Sequence, residues 1–154
     1  PLSESVGFRT VVMDDRADFA NRERFSEPIE VRVIDSFKTL PQLEIDENSY
    51  LVIITRGHLF GKHVLEQVLR SGAAYVGMIG SRNKRELIYE EMASHGFTRE
   101  ELSRVFCPIG TAIGAETPEE LAVSIVGELI KVRAGKNAPK KESPAAPCCE
   151  VKAV

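Results

Sequence analysis

The sequence predicts an α/β domain built on a parallel, doubly wound sheet, and three observations lead there. Short apolar, β-branched runs alternate with stretches of helical periodicity, the pattern of strands joined by crossover helices. One run, Ser49-Tyr-Leu-Val-Ile-Ile-Thr55, is apolar almost throughout, as expected of a strand covered on both faces. Another, Tyr75-Val-Gly-Met-Ile-Gly-Ser-Arg-Asn-Lys-Arg-Glu86, stops at a glycine and opens directly into a polar, helix-forming stretch. That is a strand-to-helix turn, where backbone N–H groups at a helix start can meet an anion.

The elements follow in order. Phe8 to Met13 is β-rich and ends at Asp14-Asp15-Arg16, and Val31 to Ile34 is a second, shorter strand ending at Asp35. A polar connection with one short helix is expected between them. After the strand over 49–55 and the turn Arg56-Gly57-His58, Lys62 to Arg70 places Val64, Leu65, Val68 and Leu69 on one helical face, with Gly72 as the stop. The strand over 75–79 leads into a helix over 82–95 with Leu87, Ile88 and Met92 inward and Gly96 at its end. Thr98-Arg-Glu-Glu101 is a capping box opening a short helix, and Arg104 to Gly110 is a last strand or extended loop. Thr117-Pro-Glu-Glu120 combines an N-cap, a first-turn proline and a capping glutamate. The helix it starts buries Leu121, Ala122, Ile125, Val126, Leu129 and Ile130, with Gly135 as its stop.

One part of such a fold is missing. A dinucleotide-binding unit opens with a strand, a glycine fingerprint and a helix before the acidic strand end. Here the strand ending at Asp14-Asp15 follows Pro1-Leu-Ser-Glu-Ser-Val-Gly directly. The absent first strand would lie at the centre of the sheet, between the strands over 8–13 and 49–55, and its absence would leave two open ladder edges. The expectation is a fragment or truncated form, or a chain that borrows a strand from another.

At 154 residues the chain suits one domain, here 1–135, plus a tail over 136–154 rich in proline and lysine. Hydrophobic residues at 43% and charged residues at 28% place it in the globular class. A net charge of -3 argues against a general nucleic-acid binder, and no apolar run has the length of a membrane span. No signal peptide opens it, so a cytoplasmic location is expected. Cys107, Cys148 and Cys149 show neither a disulfide framework nor metal-binding spacing, and the last two read as an incidental pair in the tail.

In a doubly wound fold the informative residues stand just after each strand. They are Asp14, Asp15 and Arg16 after the first, Arg56, Gly57 and His58 after the third, and Gly80, Ser81, Arg82 and Lys84 after the fourth. Together they offer a carboxylate pair, a histidine and an anion-binding helix start, which suit a phosphorylated, polyol-bearing ligand. Each has a plainer reading beside it. The aspartates are also turn formers, His58 also a structural residue, Gly80-Ser81 also a simple cap, and Lys84 with Arg85 also a solvated face. Cys107, beside Pro108 and Gly110, is equally a small buried residue. No P-loop, HExxH pair or nucleophile elbow is present.

Five blocks carry a resemblance. Gly7 to Arg16, Thr55-Arg-Gly-His58, Tyr75 to Lys84, Pro108-Ile-Gly110 and Thr117 to Ile125 resemble, in order, the C-terminal domain of the XdhC/CoxI family across roughly residues 6 to 134. The resemblance implies a Rossmann-like fold and an accessory factor for molybdenum hydroxylases such as xanthine dehydrogenase. Such a factor is a non-enzymatic chaperone that binds molybdenum cofactor (molybdopterin), protects it during sulfuration and delivers it to the apo-enzyme. It further implies a cysteine desulfurase as partner, a homo-oligomer (a dimer), and nucleotide binding as a standing expectation for the fold. On this reading the cofactor phosphate meets Gly80, Ser81 and Arg82, its polar edges meet Asp14, Asp15 and His58, and Cys107 approaches the molybdenum. The chain departs from the family in lacking the glycine-rich first unit and the separate N-terminal domain. It also has Gly61 where relatives commonly carry an acidic residue. Two other readings stand: an NAD(P)-binding oxidoreductase, which needs the absent Gly-x-Gly-x-x-Gly turn, and a ligand-free interaction module of a larger maturation protein.

Overall fold

β-Branched and aromatic residues form five short strands: β1 Val11–Asp14, β2 Glu30–Val33, β3 Tyr50–Ile53, β4 Tyr75–Met78 and β5 Val105–Phe106. They belong to a computed structural model that describes residues 1–137. The helices are α1 Leu2–Ser5, α2 Gly57–Val68, α3 Arg82–Ser94, α4 Arg99–Ser103 and α5 Pro118–Asn137. Every strand pairing among the described residues is parallel, in the α/β, Rossmann-like arrangement expected.

The strands form two sheets. β1 pairs with β2, Val11 opposite Glu30 through Asp14 opposite Val33. β4 lies between β3 and β5, with Tyr50 opposite Tyr75 and Val76 opposite Val105. Among the described residues no ladder joins β1 to β3, the place where a break is expected. Side chains bridge the two sheets instead. Near the start of the strands the Phe8 ring meets Tyr50 edge-on at 5.1 Å, and past their ends Arg56 reaches Asp15.

Two clusters of buried residues cover the faces of the larger sheet. On one, Leu65, Val68 and Leu69 of α2 and Ile88 and Met92 of α3 pack on Ile53, Val76 and Met78. Lys62 adds a polar tie, its Nζ donating to Glu91 at 2.8 Å between the two helices. On the other, Ile125 and Leu129 of α5 pack on Tyr75 and Ile109. Here Phe8, Tyr50, Tyr75 and Phe106 form an aromatic column, with Tyr50 to Tyr75 at 6.3 Å and Tyr75 to Phe106 at 4.6 Å. Capping boxes open α4 and α5 as expected: Thr98 Oγ1 accepts from Glu101 N–H at 3.1 Å, and Thr117 Oγ1 from Glu120 N–H at 3.2 Å.

Several expectations need correction. The link between β1 and β2 holds turns and no helix, because Asn21 and Arg16 satisfy its backbone locally. The strand over 49–55 is not covered throughout: Val52 and Ile54 lie along the edge that has no neighbour and are exposed. Leu87 is 59% exposed, since the neighbouring Ile88 takes the inward place in α3. α2 begins at Gly57, five positions before the expected 62, with extended Arg56 as its N-cap. α5 runs through Gly135 to Asn137, and its Ala122 and Ile130 face outward. A glycine stops a helix where its φ turns positive, as at Gly96 with φ +86°; Gly135 has no such turn. The proposed tail beyond residue 137, with Cys148 and Cys149, lies outside the described residues.

Candidate functional site

Parallel pairing sends the carboxyl ends of the strands to one end of the domain, so the residues that follow them gather there. Asp14 closes β1, and its carboxylate accepts from the Arg16 guanidinium at 2.9 and 3.0 Å and from the Arg16 backbone N–H at 3.0 Å. The Arg16 bond holds the Asp14 carboxyl below its ordinary range despite partial burial. Arg16 also lies over the Phe19 ring at 3.5 Å. Asp14 and Arg16 are therefore largely occupied with each other.

Asp15 is placed differently. Its Oδ1 lies 3.8 Å from Arg16 Nε and 3.4 Å from Arg56 Nη2, the second contact coming from the neighbouring sheet. Arg56 remains 58% exposed, so its guanidinium has donors to spare. Gly57 and His58 are the first residues of α2, and their side chains lie outside the described residues.

The fourth strand end makes a fixed turn. Ser81 is extended, and its Oγ accepts from Lys84 N–H at 3.2 Å, capping the 13-residue α3. Lys84 lies back over Gly80, where an added Cβ would come within 3.1 Å of its Cδ, and its Nζ lies 3.5 Å from the Ile79 carbonyl. A side chain at Gly80 would press on the lysine stem, which would have to shift by a few tenths of an ångström. Arg82, the first residue of α3, is exposed and has no hydrogen bond or ion pair among the described residues. Arg85 donates to the Cys107 carbonyl at 3.0 Å and pairs with Glu86 at 2.6 Å.

Cys107 is 6% exposed, its Sγ 4.0 Å from the Gly80 carbonyl. Burial raises its thiol above the ordinary value, outweighing Arg85 and Lys84, so it stays protonated at neutral pH. It lies beneath the turn and supports it.

The structure thus joins Asp14, Asp15, Arg16 and Arg56 in one linked group, and Gly80, Lys84 and Cys107 in a second, with Ser81 and Arg82 at its mouth. The second also includes Arg85, which the sequence offered both as positive charge at the helix start and as part of a solvated face. Sequence reading missed Glu128 altogether. Its Oε2 accepts from the Tyr75 hydroxyl at 2.5 Å and from Gly110 N–H at 2.9 Å, while Ser124 Oγ donates to the Thr111 carbonyl at 2.6 Å. These bonds fix the segment after Cys107 against α5. The available signal was the i, i+4 pair Ser124 and Glu128 in an otherwise apolar helix stripe.

Gly61 faces the sheet. A Cβ there would lie 3.1 Å from Thr55 Oγ1 and 3.3 Å from Met78 Sδ, so an acidic side chain would need its neighbours to move. Among the described residues no group of three or more His, Cys, Asp or Glu side chains is placed to hold a metal ion. No helix among them is long and apolar enough to cross a membrane. A depression of about 300 Å³ lined by Ala74, Ser103, Arg104, Val105 and Phe106 lies toward the start of β4 and includes none of the expected site residues.

Known proteins are similar to this chain in sequence and in fold. The chain is 29% identical over 135 residues to the Escherichia coli K12 protein YqeB, covering 87% of this chain and 24% of that protein. It is 27% identical over 134 residues to a Bacillus subtilis protein described as a probable xanthine dehydrogenase component, covering 86% and 38%. To the E. coli K12 molybdenum cofactor insertion chaperone PaoD it is 24% identical over 101 residues, covering 66% and 32%. A crystal structure described as a xanthine dehydrogenase from Bacillus halodurans matches with a TM-score of 0.71 at 26% identity, over 93% of this chain and 40% of that one. The chain therefore spans between about a quarter and two fifths of the length of these proteins. The family model for the XdhC Rossmann domain matches residues 1–129, and the chain belongs to that family.

Proposed function

We propose that this chain serves in the maturation of a molybdenum hydroxylase of the xanthine dehydrogenase type, binding molybdenum cofactor and helping to protect and deliver it. The observation that carries the reading is the start of α3. Ser81 caps it, Gly80 keeps the backbone open, and Arg82 stands exposed with its guanidinium uncommitted among the described residues. A phosphate suits that combination of helix N-terminus and guanidinium. Membership of the XdhC Rossmann family and kinship with a protein named a molybdenum cofactor insertion chaperone point to the cofactor that would bring the phosphate.

The roles divide by availability. Arg82 and the Gly80-Ser81 turn would hold the phosphate, with Lys84 fixing the turn from above and Cys107 from below. Asp15, Arg56 and the Gly57-His58 start of α2 would meet the polar edges of the pterin, while Asp14 and Arg16 brace Asp15 from behind. Bound cofactor supplies molybdenum chemistry to the enzyme that receives it, and this chain acts without turnover. An apo-hydroxylase, a cysteine desulfurase and a second copy of the chain are the partners this role calls for, with the cytoplasm as its setting.

The test is to mix the purified chain with freshly released molybdenum cofactor and measure the molybdenum co-eluting with protein on gel filtration. Near-stoichiometric metal is expected, falling at least about tenfold in the double variant Ser81→Ala with Arg82→Ala, since loss of one charge-assisted bond and one cap-linked contact is worth about 1.5–3 kcal/mol. Equal retention by variant and parent would remove the site. Absence of molybdenum from the folded parent would remove the carrier role.

A further inference from the structure

The aromatic column ends at an open ring. Tyr50, Tyr75 and Phe106 stand on the neighbouring strands β3, β4 and β5 with their planes nearly parallel, 25° between the first two and 26° between the last two. Such a stack gains one ring per strand. It stops at Phe106 because β5 is the edge strand of the larger sheet. Tyr75, inside the column, is fully buried, whereas Phe106 is 37% exposed. One face of the Phe106 ring rests on Tyr75 at 4.6 Å, and among the described residues no second ring and no guanidinium stacks on Phe106.

Phe106 lines the depression of about 300 Å³ together with Ala74, Ser103, Arg104 and Val105, and the polar groups there have bonding capacity to spare. Arg104 is the C-cap of α4, and its backbone N–H is used by the Glu101 carbonyl at 3.2 Å. Its side chain is exposed and makes no hydrogen bond or ion pair among the described residues. Neither neighbouring carboxylate claims it: Glu100 is not paired with it, and Glu101 is taken by Arg70 at 2.7 Å and by Thr98 N–H at 2.8 Å. A planar fork of guanidinium donors is therefore left to solvent. Ser103 is one-sided. Its Oγ donates to the Glu100 carbonyl at 2.7 Å, which commits its single hydrogen, so toward the depression it only accepts. The volume stands at the lower end of ligand pockets, roughly 300–1,000 Å³, which gives room for one or two rings.

We propose that this depression is a binding site for a small planar aromatic carboxylate. The ligand ring stacks on Phe106 as the next member of the column. Its carboxylate takes the paired N–H groups of Arg104, and a hydroxyl or ring N–H beside the carboxylate donates to Ser103 Oγ. Ala74 and Val105 supply the apolar wall. The three contacts separate candidate ligands by chemistry: a saturated ring acid loses the stack, a neutral aromatic loses the ion pair, and an acid with no neighbouring donor leaves Ser103 unused. The depression lies toward the start of β4, at the other end of the strand from Gly80 and Ser81, and shares no residue with the cofactor crevice. The proposal therefore stands apart from the cofactor reading.

The test titrates the full chain with salicylate, benzamide and cyclohexanecarboxylate and follows backbone amide shifts by heteronuclear NMR. Salicylate carries the ring, the carboxylate and the adjacent donor; the other two lack the charge and the aromatic face respectively. Saturable shifts centred on Ala74 and on Ser103 to Phe106 are expected with salicylate, at a Kd of about 0.1–1 mM for a ligand of about ten non-hydrogen atoms in an open site. Benzamide and cyclohexanecarboxylate are each expected to bind at least about fivefold more weakly. Arg104→Gln, at an exposed side chain without partners, is expected to weaken salicylate at least about tenfold, and Phe106→Leu about fivefold. Where Phe106→Leu loosens the column, Arg104→Gln decides alone, its unchanged shifts elsewhere showing that it is folded. Absence of saturable shifts at about 10 mM salicylate would overturn the proposal. So would equal affinity for cyclohexanecarboxylate, binding that Arg104→Gln leaves unaltered, or shifts that fall at Ser81 and Arg82 and spare Ser103 to Phe106.

Discussion

Arg56 Nη2 lies 3.4 Å from Asp15 Oδ1 and ties the end of β3 to the end of β1 across a gap that no strand ladder spans. With the arginine 58% exposed, the pair contributes little to stability. Arg56→Ala is expected to change unfolding free energy by less than about 1 kcal/mol in urea titration. Molybdenum retention on gel filtration should nonetheless fall, because the variant loses the cation placed beside Asp15. Loss of stability with unchanged retention would mean that the pair is purely structural.

Tyr75 and Glu128 give the opposite case. The Tyr75 ring is buried within the aromatic column, and its hydroxyl donates to a carboxylate that also holds Gly110. Burial, then the Glu128 carboxylate, raises the Tyr75 pKa well above its ordinary value, so the phenol stays neutral through the working range. Tyr75→Phe leaves Glu128 short of a donor and is expected to cost about 2 kcal/mol. Glu128→Gln keeps an acceptor for both partners and should cost less, which urea titration of the two variants would compare.

An acid-dependent part of the stability is assigned to Glu101. The Arg70 guanidinium, at 2.7 Å, and the Thr98 backbone N–H lower its pKa from the ordinary 4.5 to about 2. A carboxyl with a depressed folded pKa stabilises the fold in full above its unfolded value and loses that contribution as pH falls toward the folded one. The melting midpoint should therefore decline between pH 4.5 and about 2, and Glu101→Gln should flatten that decline while lowering the midpoint at neutral pH. A parallel decline in the variant would assign the acid sensitivity to Asp14 and the other depressed carboxyls.

Glycines separate by surroundings. Gly110 has φ +95°, and a Cβ there would collide with Ser124 Oγ, so Gly110→Ala is expected to destabilise by about 1–3 kcal/mol. Gly127 is inside α5 with open space around it, so Gly127→Ala should stabilise by about 0.5–1 kcal/mol. Thermal midpoints of the two variants would move in opposite directions.

Much of the fold was legible in the sequence because its signals are local. Thr98 and Thr117 announce their helices through capping boxes four residues long, and Gly96 marks a stop by needing positive φ. The break in the sheet was legible too, since the order of motifs starts with an acidic strand end. What failed depended on neighbours. Val52 and Ile54 have the composition of buried residues, yet they stand exposed in and just after β3, the edge strand of the larger sheet. Leu87 and Ile88 are equally apolar, and helix rotation against the sheet chose Ile88. At the site, the strand ends named the residues, but the sequence could not say which were already committed. Asp14 and Arg16 are bound to each other, whereas Arg82 is open, and that distinction needed three-dimensional contacts.

The aromatic column has a practical consequence for spectroscopy. The chain contains three tyrosines and no tryptophan. Two of the three, Tyr50 and Tyr75, stand 6.3 Å apart in the column, with Phe8 joining it from the segment that leads into β1. Asymmetrically packed rings dominate near-ultraviolet circular dichroism, and rings this close exchange excitation energy. The intrinsic tyrosine signal is thus a label-free gauge of the junction between the two sheets, ready to report any movement of one against the other.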